Sequence, residues 1–349
     1  MDPLTAALFS GAAGSAAGAL NVENVFFTSL YTGNGSTQTI SNGIDLSGKG
    51  GMVWLKSRSA ATGNRLVDTV RGATKSLESN SNAVEAIEST GLTSFTSTGF
   101  TLGADADYNT STATYGSWTF REQEKFFDVV TWTGDGVTTT TVAHSLGVTP
   151  AVVIVKRLDS AGEWGVNYLR GDIGSGGIIG YSLNLTAALR DTGNAVSTYF
   201  TSTTLRPSFL ANANSSALQY NATGGTFVAY LFAHDAGGFG SSGTDSIISC
   251  GKYAGNGSTT GTTVTLGWQP QWLLIKRSDT TGNWNLIDSQ RGFVSGGTDA
   301  ELNPNLSNAE SSGTFVSPLS TGFQLNTTDA EYNANGGTYI YVAIRASAP

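Results

Sequence analysis

The chain repeats one pattern of residues three times, and this repeat limits its fold more than any other feature. A tyrosine followed by an asparagine recurs at two equal steps of 112 residues, at Tyr108-Asn109, Tyr220-Asn221 and Tyr332-Asn333. Each copy also begins with a turn motif, at Gly33-Asn34-Gly35, Gly134-Asp135-Gly136 and Gly255-Asn256-Gly257. Solenoid repeats have periods of roughly 20–50 residues, so this longer period matches a small domain instead. The sequence therefore predicts an array of three domains.

Composition and strand pattern indicate an all-β protein. Glycine is abundant, charged residues make up only 13% of the chain, and no long stretch has a helical period. Short apolar or alternating segments separated by Gly, Asn and Ser turns are typical of β-sandwiches and jelly rolls. We therefore expect three tandem β-sandwich domains of the jelly-roll type behind a short N-terminal extension. We call the predicted domains unit 1 (residues 22–125), unit 2 (126–240) and unit 3 (241–349).

Within each unit the same signals follow one another. The Asn-Gly or Asp-Gly dipeptide of the turn motif is a strong signal for a tight hairpin, because both central residues need positive φ. A continuous apolar segment ending in lysine comes next, and such a segment predicts a strand buried on both faces. The three segments are Met52–Lys56, Ala151–Lys156 and Gln271–Lys276.

The segments outside the units carry further expectations. The short, charged joint 121–125 predicts that units 1 and 2 pack in a fixed relation. The joint 236–243 has the composition of a flexible linker, although a buried Phe239 could pin it. Residues 1–21 lack the positive charge of a signal peptide and are too short and glycine-rich to span a membrane. We expect them to be a docking segment that orders against a partner, with a disordered tail as the alternative.

Several classes of function are disfavoured by composition. A net charge of −8 argues against nucleic acid as a partner, because that would need clustered Lys and Arg. The single Cys250 excludes an intramolecular disulfide framework. Two histidines without a Cys/His cluster disfavour zinc or haem. We therefore predict no cofactor and no membrane partner.

The acidic residues and histidines do not form a recognisable catalytic motif. A glycan-cleaving enzyme needs two carboxylates, and His144 and His234 lack a nearby nucleophile elbow. The candidate carboxylate pairs, none of which recurs in all three units, are Asp105 with Asp107, Glu122 with Glu124, and Asp299 with Glu301. We therefore predict that the protein is not an enzyme. A calcium site stays open as an alternative, at Asp105, Asp107 and Asn109 or at Asp329, Glu331 and Asn333, while Ser216, Gln219 and Asn221 break the pattern in unit 2.

Other polar residues recur and are candidates for a structural or binding role. An acid or amide precedes an arginine by three residues in Asp68 and Arg71, Asn167 and Arg170, and Asp288 and Arg291. We expect these pairs to bridge a turn, with a repeated ligand contact as the alternative. The Tyr-Asn motif predicts a loop anchored before the last strand, with sugar stacking on the tyrosine as the alternative. The stretch from each arginine to the next Tyr-Asn motif varies in length, so any specific binding surface is expected there.

Five segments carry a family resemblance that extends from about residue 24 to the C-terminus. They resemble a domain common in structural proteins of marine tailed bacteriophages: 126–134, 143–147, 153–157, 229–235 and 272–277. The resemblance implies a lectin-like sandwich of the concanavalin A type and a place in a tail fibre or another virion appendage. It supplies no catalytic residues.

These observations together predict a virion structural protein on the tail or capsid surface, most simply a tail fibre or a tail-associated appendage. We expect a symmetric homo-oligomer, a trimer by preference, that contacts other virion proteins through residues 1–21 and binds host-surface glycans. Two alternatives remain open at this stage: a capsid decoration protein and a secreted carbohydrate-active enzyme.

Overall fold

The computed structural model describes residues 20–169, 177–214 and 219–347. Strands account for 42% of the chain and helices for 7%, so the predicted all-β sandwich class is confirmed. No helix among these described residues is long and apolar enough to cross a membrane. Arg170 and nearly all of the predicted docking segment lie outside the described residues.

Unit 1 forms a large antiparallel sheet and a small one. The large sheet has the order β1-β9-β3-β4-β5-β6 and the small sheet β2-β8-β7, with two short helices, α1 (Leu46–Lys49) and α2 (Ala106–Asn109), in the connections. The strands of unit 1 are β1 (Phe26–Thr32), β2 (Gln38–Ser41), β3 (Gly51–Ser57), β4 (Arg65–Asp68), β5 (Lys75–Glu78), β6 (Ala86–Ile87), β7 (Leu92–Thr96), β8 (Gly99–Leu102) and β9 (Thr114–Arg121).

Unit 2 repeats this plan with a smaller second sheet. Its large sheet has the order β10-β17-β12-β13-β14-β15, its small sheet pairs β11 with β16, and α3 (Val196–Tyr199) follows β15. The strands of unit 2 are β10 (Phe127–Thr133), β11 (Val142–Ala143), β12 (Val152–Arg157), β13 (Gly165–Tyr168), β14 (Gly177–Tyr181), β15 (Arg190–Ala195), β16 (Thr204–Leu205) and β17 (Thr226–Phe232).

Unit 3 contains three sheets, with orders β18-β26-β20-β21, β19-β25-β24 and β22-β23. Its 3-10 turn at Ser289–Arg291 directly follows β21. The strands of unit 3 are β18 (Ile248–Ala254), β19 (Thr263–Thr265), β20 (Pro270–Arg277), β21 (Trp284–Asp288), β22 (Asp299–Glu301), β23 (Ser311–Gly313), β24 (Val316–Leu319), β25 (Gly322–Leu325) and β26 (Thr338–Arg345).

The prediction of tight hairpins at the Asn-Gly and Asp-Gly motifs is wrong. β1 pairs with β9 and β2 pairs with β8, so the strands on either side of the motif belong to different sheets. The same holds for β10 and β11 and for β18 and β19. The motif therefore forms a corner between the two sheets of a sandwich, and in unit 1 Gly35 adopts positive φ there (68°).

The apolar segment that ends in lysine is the central strand of each large sheet, and its predicted burial on both faces is confirmed. All seven residues of β3 are buried. Because successive side chains point to opposite faces, Val53 and Leu55 pack with the small sheet of unit 1. Met52 and Trp54 point the other way, into a core that residues of all three units share.

This shared core holds the three units together in one body. Phe120 of unit 1 lies 5.8 Å from Phe232 of unit 2 and 5.8 Å from Trp272 of unit 3, measured between ring centroids. Phe120 and Phe232 occupy the same position in β9 and β17. Each large sheet is thus covered by its own small sheet on one face and by the other two units on the opposite face.

The joint between units 2 and 3 is folded rather than flexible. Phe239 is 1% exposed and packs in the shared core, where its ring lies 6.4 Å from Phe126. Its backbone exchanges two hydrogen bonds with Asp245, and Gly240 donates to the carbonyl of Leu20 at 2.9 Å. The apolar ring overrides a composition that by itself favours flexibility.

Candidate functional site

Three seams, one between each pair of units, hold the units together, and two of them contain the described Asp–Arg pairs. The same backbone hydrogen bond crosses each seam: Glu85 to Leu158 at 2.9 Å (seam 1/2), Leu189 to Ser278 at 3.0 Å (seam 2/3) and Glu310 to Arg58 at 2.9 Å (seam 1/3). Each acceptor lies two residues after the lysine that follows the apolar segment. Unit 1 therefore packs on unit 2, unit 2 on unit 3 and unit 3 on unit 1, so the ring closes within a single chain.

Seam 1/2 contains a fully buried ion pair. Arg71 donates to Asp68 through its backbone N–H at 2.8 Å and through Nε at 2.5 Å, and its Nη1 donates to Glu85 at 3.0 Å. From unit 2, the hydroxyl of Tyr230 donates to Asp68 at 2.9 Å and accepts from Arg71 at 3.2 Å. Burial raises the pKa of Tyr230 well above its ordinary value, so this hydroxyl remains a donor at neutral pH.

Seam 1/3 repeats the arrangement with a different aromatic partner. Nε of Arg291 donates to Asp288 at 2.7 Å and its Nη1 donates to Glu310 at 3.2 Å. From unit 1, the indole N–H of Trp118 donates to Asp288 at 2.8 Å, and the guanidinium of Arg291 lies 5.2 Å from the Trp118 ring centroid. Arg58 adds a two-point ion pair with Glu310 at the edge.

The described part of seam 2/3 does not repeat this arrangement, because unit 2 has the same strand register but carries a tyrosine where the other units carry the aspartate. Asp68 pairs with Met52 and Asp288 pairs with Trp272, but at the matching position of unit 2 Val152 pairs with Tyr168. Asn167 is one residue out of step, so its predicted equivalence to the two aspartates is corrected. Its side chain faces its own unit, where Oδ1 accepts from the backbone N–H of Ala211 at 2.7 Å.

Two further described positions of seam 2/3 carry apolar side chains. Leu189 stands where the other units have Glu85 and Glu310, and Val342 stands in the strand position of Trp118 and Tyr230. The two Asp–Arg pairs in the described residues therefore bridge a turn, as predicted, and also join neighbouring units. Asp68, Asp288 and Arg291 are at most 4% exposed, and Arg71 reaches the lining of a surface groove.

A buried lysine marks the edge of every seam. Lys56, Lys156 and Lys276 are each 0% exposed. Burial lowers the pKa of all three ammonium groups to about 8. Lys156 donates across seam 1/2 to the carbonyl of Asn82 at 3.3 Å, and Lys276 donates across seam 2/3 to that of Thr186 at 3.3 Å.

The asparagine side chain of each Tyr-Asn motif donates a hydrogen bond to the turn motif at the start of the unit. This bond connects the loop before the last strand to the corner between the two sheets. Asn333 donates to Asn256 at 3.0 Å, Asn221 donates to Asp135 at 2.8 Å, and Asn109 donates to Asn34 at 3.1 Å. This explains why the two sequence motifs recur together. The predicted anchoring role agrees with these contacts.

The tyrosines of the motif are buried as well. Tyr108, Tyr220 and Tyr332 are at most 1% exposed, which leaves no ring face for the sugar stacking considered as an alternative. A second aromatic pair that sequence reasoning missed lies against each motif, and its outer member hydrogen-bonds the tyrosine carbonyl. These pairs are Tyr31 with Tyr115, Trp132 with Phe227, and Tyr253 with Tyr339.

The acidic residues considered for calcium or catalysis are engaged in local structure. Asp105 accepts from the backbone N–H of Asp107, whose side chain pairs with Arg65. Asp329 accepts from the backbone N–H of Glu331 at 2.8 Å. Among the described residues no group of three or more His, Cys, Asp or Glu side chains is placed to hold a metal ion.

Asp299, Glu301 and the two histidines are also held by nearby groups, whereas Glu122 is distinguished by its burial. Burial raises the pKa of Asp299 to about 6, although this carboxylate accepts from two backbone N–H groups, and Glu301 is bonded by Tyr332. In the pair with Glu124, burial raises the pKa of Glu122 to about 7. Nδ1 of His144 accepts from the N–H of Leu146, and Nδ1 of His234 from that of Cys250.

One family model matches the sequence of all three units in a single continuous alignment. The sequence model of a family described as "Domain of unknown function (DUF7483)" matches residues 22–349. The match runs through all three units and both joints. No match to a curated protein was found.

Proposed function

The chain belongs to the DUF7483 family, and we propose that it is a structural protein of a tailed-bacteriophage virion, in a tail fibre or a tail-associated appendage. The observation that carries this proposal is the closed ring of three sandwiches around one shared core. The recurring polar residues stabilise this ring instead of forming an open catalytic cleft. The resemblance of the strand segments to virion proteins supports the location.

The ring also bears on how the protein would work in an appendage. Exposed residues of the variable stretches, such as Ile87, stand on a core that joins all three units, which gives them a fixed support. Such a module suits adsorption to surface glycans, which needs binding loops on a fixed scaffold. We propose that residues 1–21 dock it to other virion proteins.

Capsid decoration is a second candidate, and one observation favours it. A single chain already places three similar units in a ring, and such a ring matches a local three-fold position of a capsid in symmetry. This candidate does not require the proposed homotrimer, because one chain already contains three similar units. Light scattering on the purified protein measures its mass and so decides between monomer and trimer.

Labelling of particles tests the proposal. Antibodies against the chain, applied to purified particles and imaged by electron microscopy, should mark the tail, and mass spectrometry should find a few to tens of copies per particle. Hundreds of copies on the head would establish decoration instead. Absence from washed particles would contradict both candidates, and release of reducing ends from host polysaccharide would establish an enzyme.

A further inference from the structure

A groove with a mixed lining runs along the outer edge of seam 1/2. It encloses about 680 Å³, which lies within the range of roughly 300–1,000 Å³ for small-ligand sites. Unit 2 contributes the end of its edge strand β10 and the neighbouring end of β17, while unit 1 contributes the turn after β4 and the β5–β6 hairpin. That hairpin belongs to the stretch of variable length in which the sequence predicts a binding surface.

The floor of the groove contains an aromatic platform. The half-buried ring of Trp132 stacks on Phe227 with centroids 5.4 Å apart and planes inclined by 18°. Its indole N–H donates to the carbonyl of Tyr220 at 2.9 Å, which fixes the rotation of the ring. On the opposite wall the side chains of Ile87 and Val70 are exposed to 77% and 44%.

Polar groups with fixed positions surround this platform. The carboxylate of Asp159 is held by two hydrogen bonds from Arg157 and by the N–H of Thr226. Glu85 is held by Arg71, and Lys75 lies 3.6 Å from it. A carboxylate accepts about four hydrogen bonds, so both acids keep acceptor capacity toward the groove.

The groove at seam 1/3 is a useful contrast. It is smaller, about 390 Å³, and its lining contains no charged residue. Gln290 lies where seam 1/2 has Val70, each directly before the arginine of its Asp–Arg pair. Fixed acids beside an aromatic ring are therefore a feature of the groove at seam 1/2 and not a consequence of the repeat.

We propose that the groove at seam 1/2 is a binding site for a neutral oligosaccharide; this rests on the glycan-binding role proposed above. A sugar ring has an apolar face that packs on an indole and hydroxyls that donate to carboxylates. The acids and cations of the lining balance one another, so a strongly charged polymer meets repulsion as well as attraction. A peptide is an alternative occupant that the test must separate from a sugar.

Binding measurements on five variants test this site. The full chain is screened on an array of bacterial-surface oligosaccharides, and the best glycan is titrated by calorimetry. Trp132→Ala should weaken binding at least tenfold and Ile87→Asp several-fold, while Trp132→Phe should retain most of the affinity. Tyr253→Ala is the matched control, because it removes the equivalent stacked ring of unit 3; Val294→Asp is a control for an exposed aliphatic residue outside the groove.

The outcomes separate this inference from the proposed function. Unchanged affinity of Trp132→Ala, or an equal loss in folded Tyr253→Ala, would overturn the assignment of the site. If the wild-type chain bound no glycan on the array, or bound only peptides, the assignment would also be overturned. Each of these results leaves the location in the virion to be decided by particle labelling, and circular dichroism confirms that the variants fold.

Discussion

Seams 1/2 and 1/3 are closed by buried Asp–Arg pairs, whereas the matching described positions of seam 2/3 hold a tyrosine, a leucine and a valine. In the first two, the arginine also reaches a glutamate, and an aromatic donor from the neighbouring unit completes the cluster. In the third, Tyr168, Leu189 and Val342 replace the acid, the glutamate and the donor. The same backbone geometry therefore tolerates both chemistries.

The difference shows what the ion pairs contribute. A buried ion pair is often no more stabilising than apolar residues of similar volume, but the loss of one partner leaves an uncompensated charge. Three similar units have several ways to associate, and only one order places Tyr230 against Asp68 and Trp118 against Asp288. The Asp–Arg pairs therefore specify which unit meets which, whereas the contacts described across seam 2/3 are hydrogen bonds to backbone carbonyls and apolar packing.

Removal of one charge from a polar seam should have the largest effect. Arg291→Met keeps the aliphatic stem but leaves Asp288 buried without its cation, so the free energy of unfolding should fall by about 3–5 kcal/mol. Chemical denaturation monitored by tryptophan fluorescence measures this. A loss below about 1 kcal/mol would show that the ion pair of seam 1/3 stabilises the fold no more than the uncharged residues at the matching positions of seam 2/3 do.

The buried lysines should make stability depend on pH at all three seams. Their pKa of about 8 in the folded chain lies below the ordinary value of 10.5, so between these values the unfolded chain binds more protons. Stability should therefore rise from pH 8 toward pH 10, by on the order of 1 kcal/mol per pH unit for each lysine.

Two controls bear on the lysine prediction. Replacing Lys276 of the apolar seam with methionine should reduce the slope by about a third, and replacing Lys156 of a polar seam should do the same. Above about pH 10 the trend should reverse, because burial raises the pKa of tyrosines such as Tyr253 and the unfolded chain loses those protons first. A flat profile between pH 8 and 10 would contradict the assignment.

A smaller effect is expected when only the aromatic donor is removed. Tyr230→Phe keeps the ring in seam 1/2 but deletes the hydroxyl that bonds Asp68 and Arg71, which should cost about 1–3 kcal/mol of unfolding free energy. The denaturation midpoint measures this loss. An unchanged midpoint would mean that the polar seam behaves like the apolar one, where Val342 occupies the matching position.

The smallest effect is expected at the edge of seam 1/3. Arg58→Leu copies Leu158 of seam 1/2 and removes a partly exposed ion pair with Glu310, which should cost about 0.2–1 kcal/mol. High salt should lower the stability of the wild type toward that of the variant, because screening weakens exposed pairs. A loss of several kcal/mol at every salt concentration would contradict this prediction, because it would show that the Arg58–Glu310 pair contributes as much as the buried Asp–Arg pairs.

Much of the site could be read from the sequence, but its arrangement could not. The recurrence of Asp68 with Arg71 and of Asp288 with Arg291 marked these pairs as structural, and spacing alone could show that each bridges a turn. Their partners Tyr230 and Trp118 lie more than 150 positions away in the chain, on strands of other units, and no local pattern links them. Asn167 was misaligned for a related reason, since spacing from an arginine does not reveal strand register.

The sequence by itself determined the number of units, their all-β class and the central strands buried on both faces, because period, turn residues and apolar runs are local properties. Only the tertiary structure decided that the Asn-Gly motifs turn corners between sheets, that Phe239 pins a glycine-rich joint, and that the three units close into a ring. These outcomes depend on contacts between residues far apart in the chain. The physical reason is that each large sheet has two apolar faces, and its own small sheet covers only one of them; the other two units cover the second.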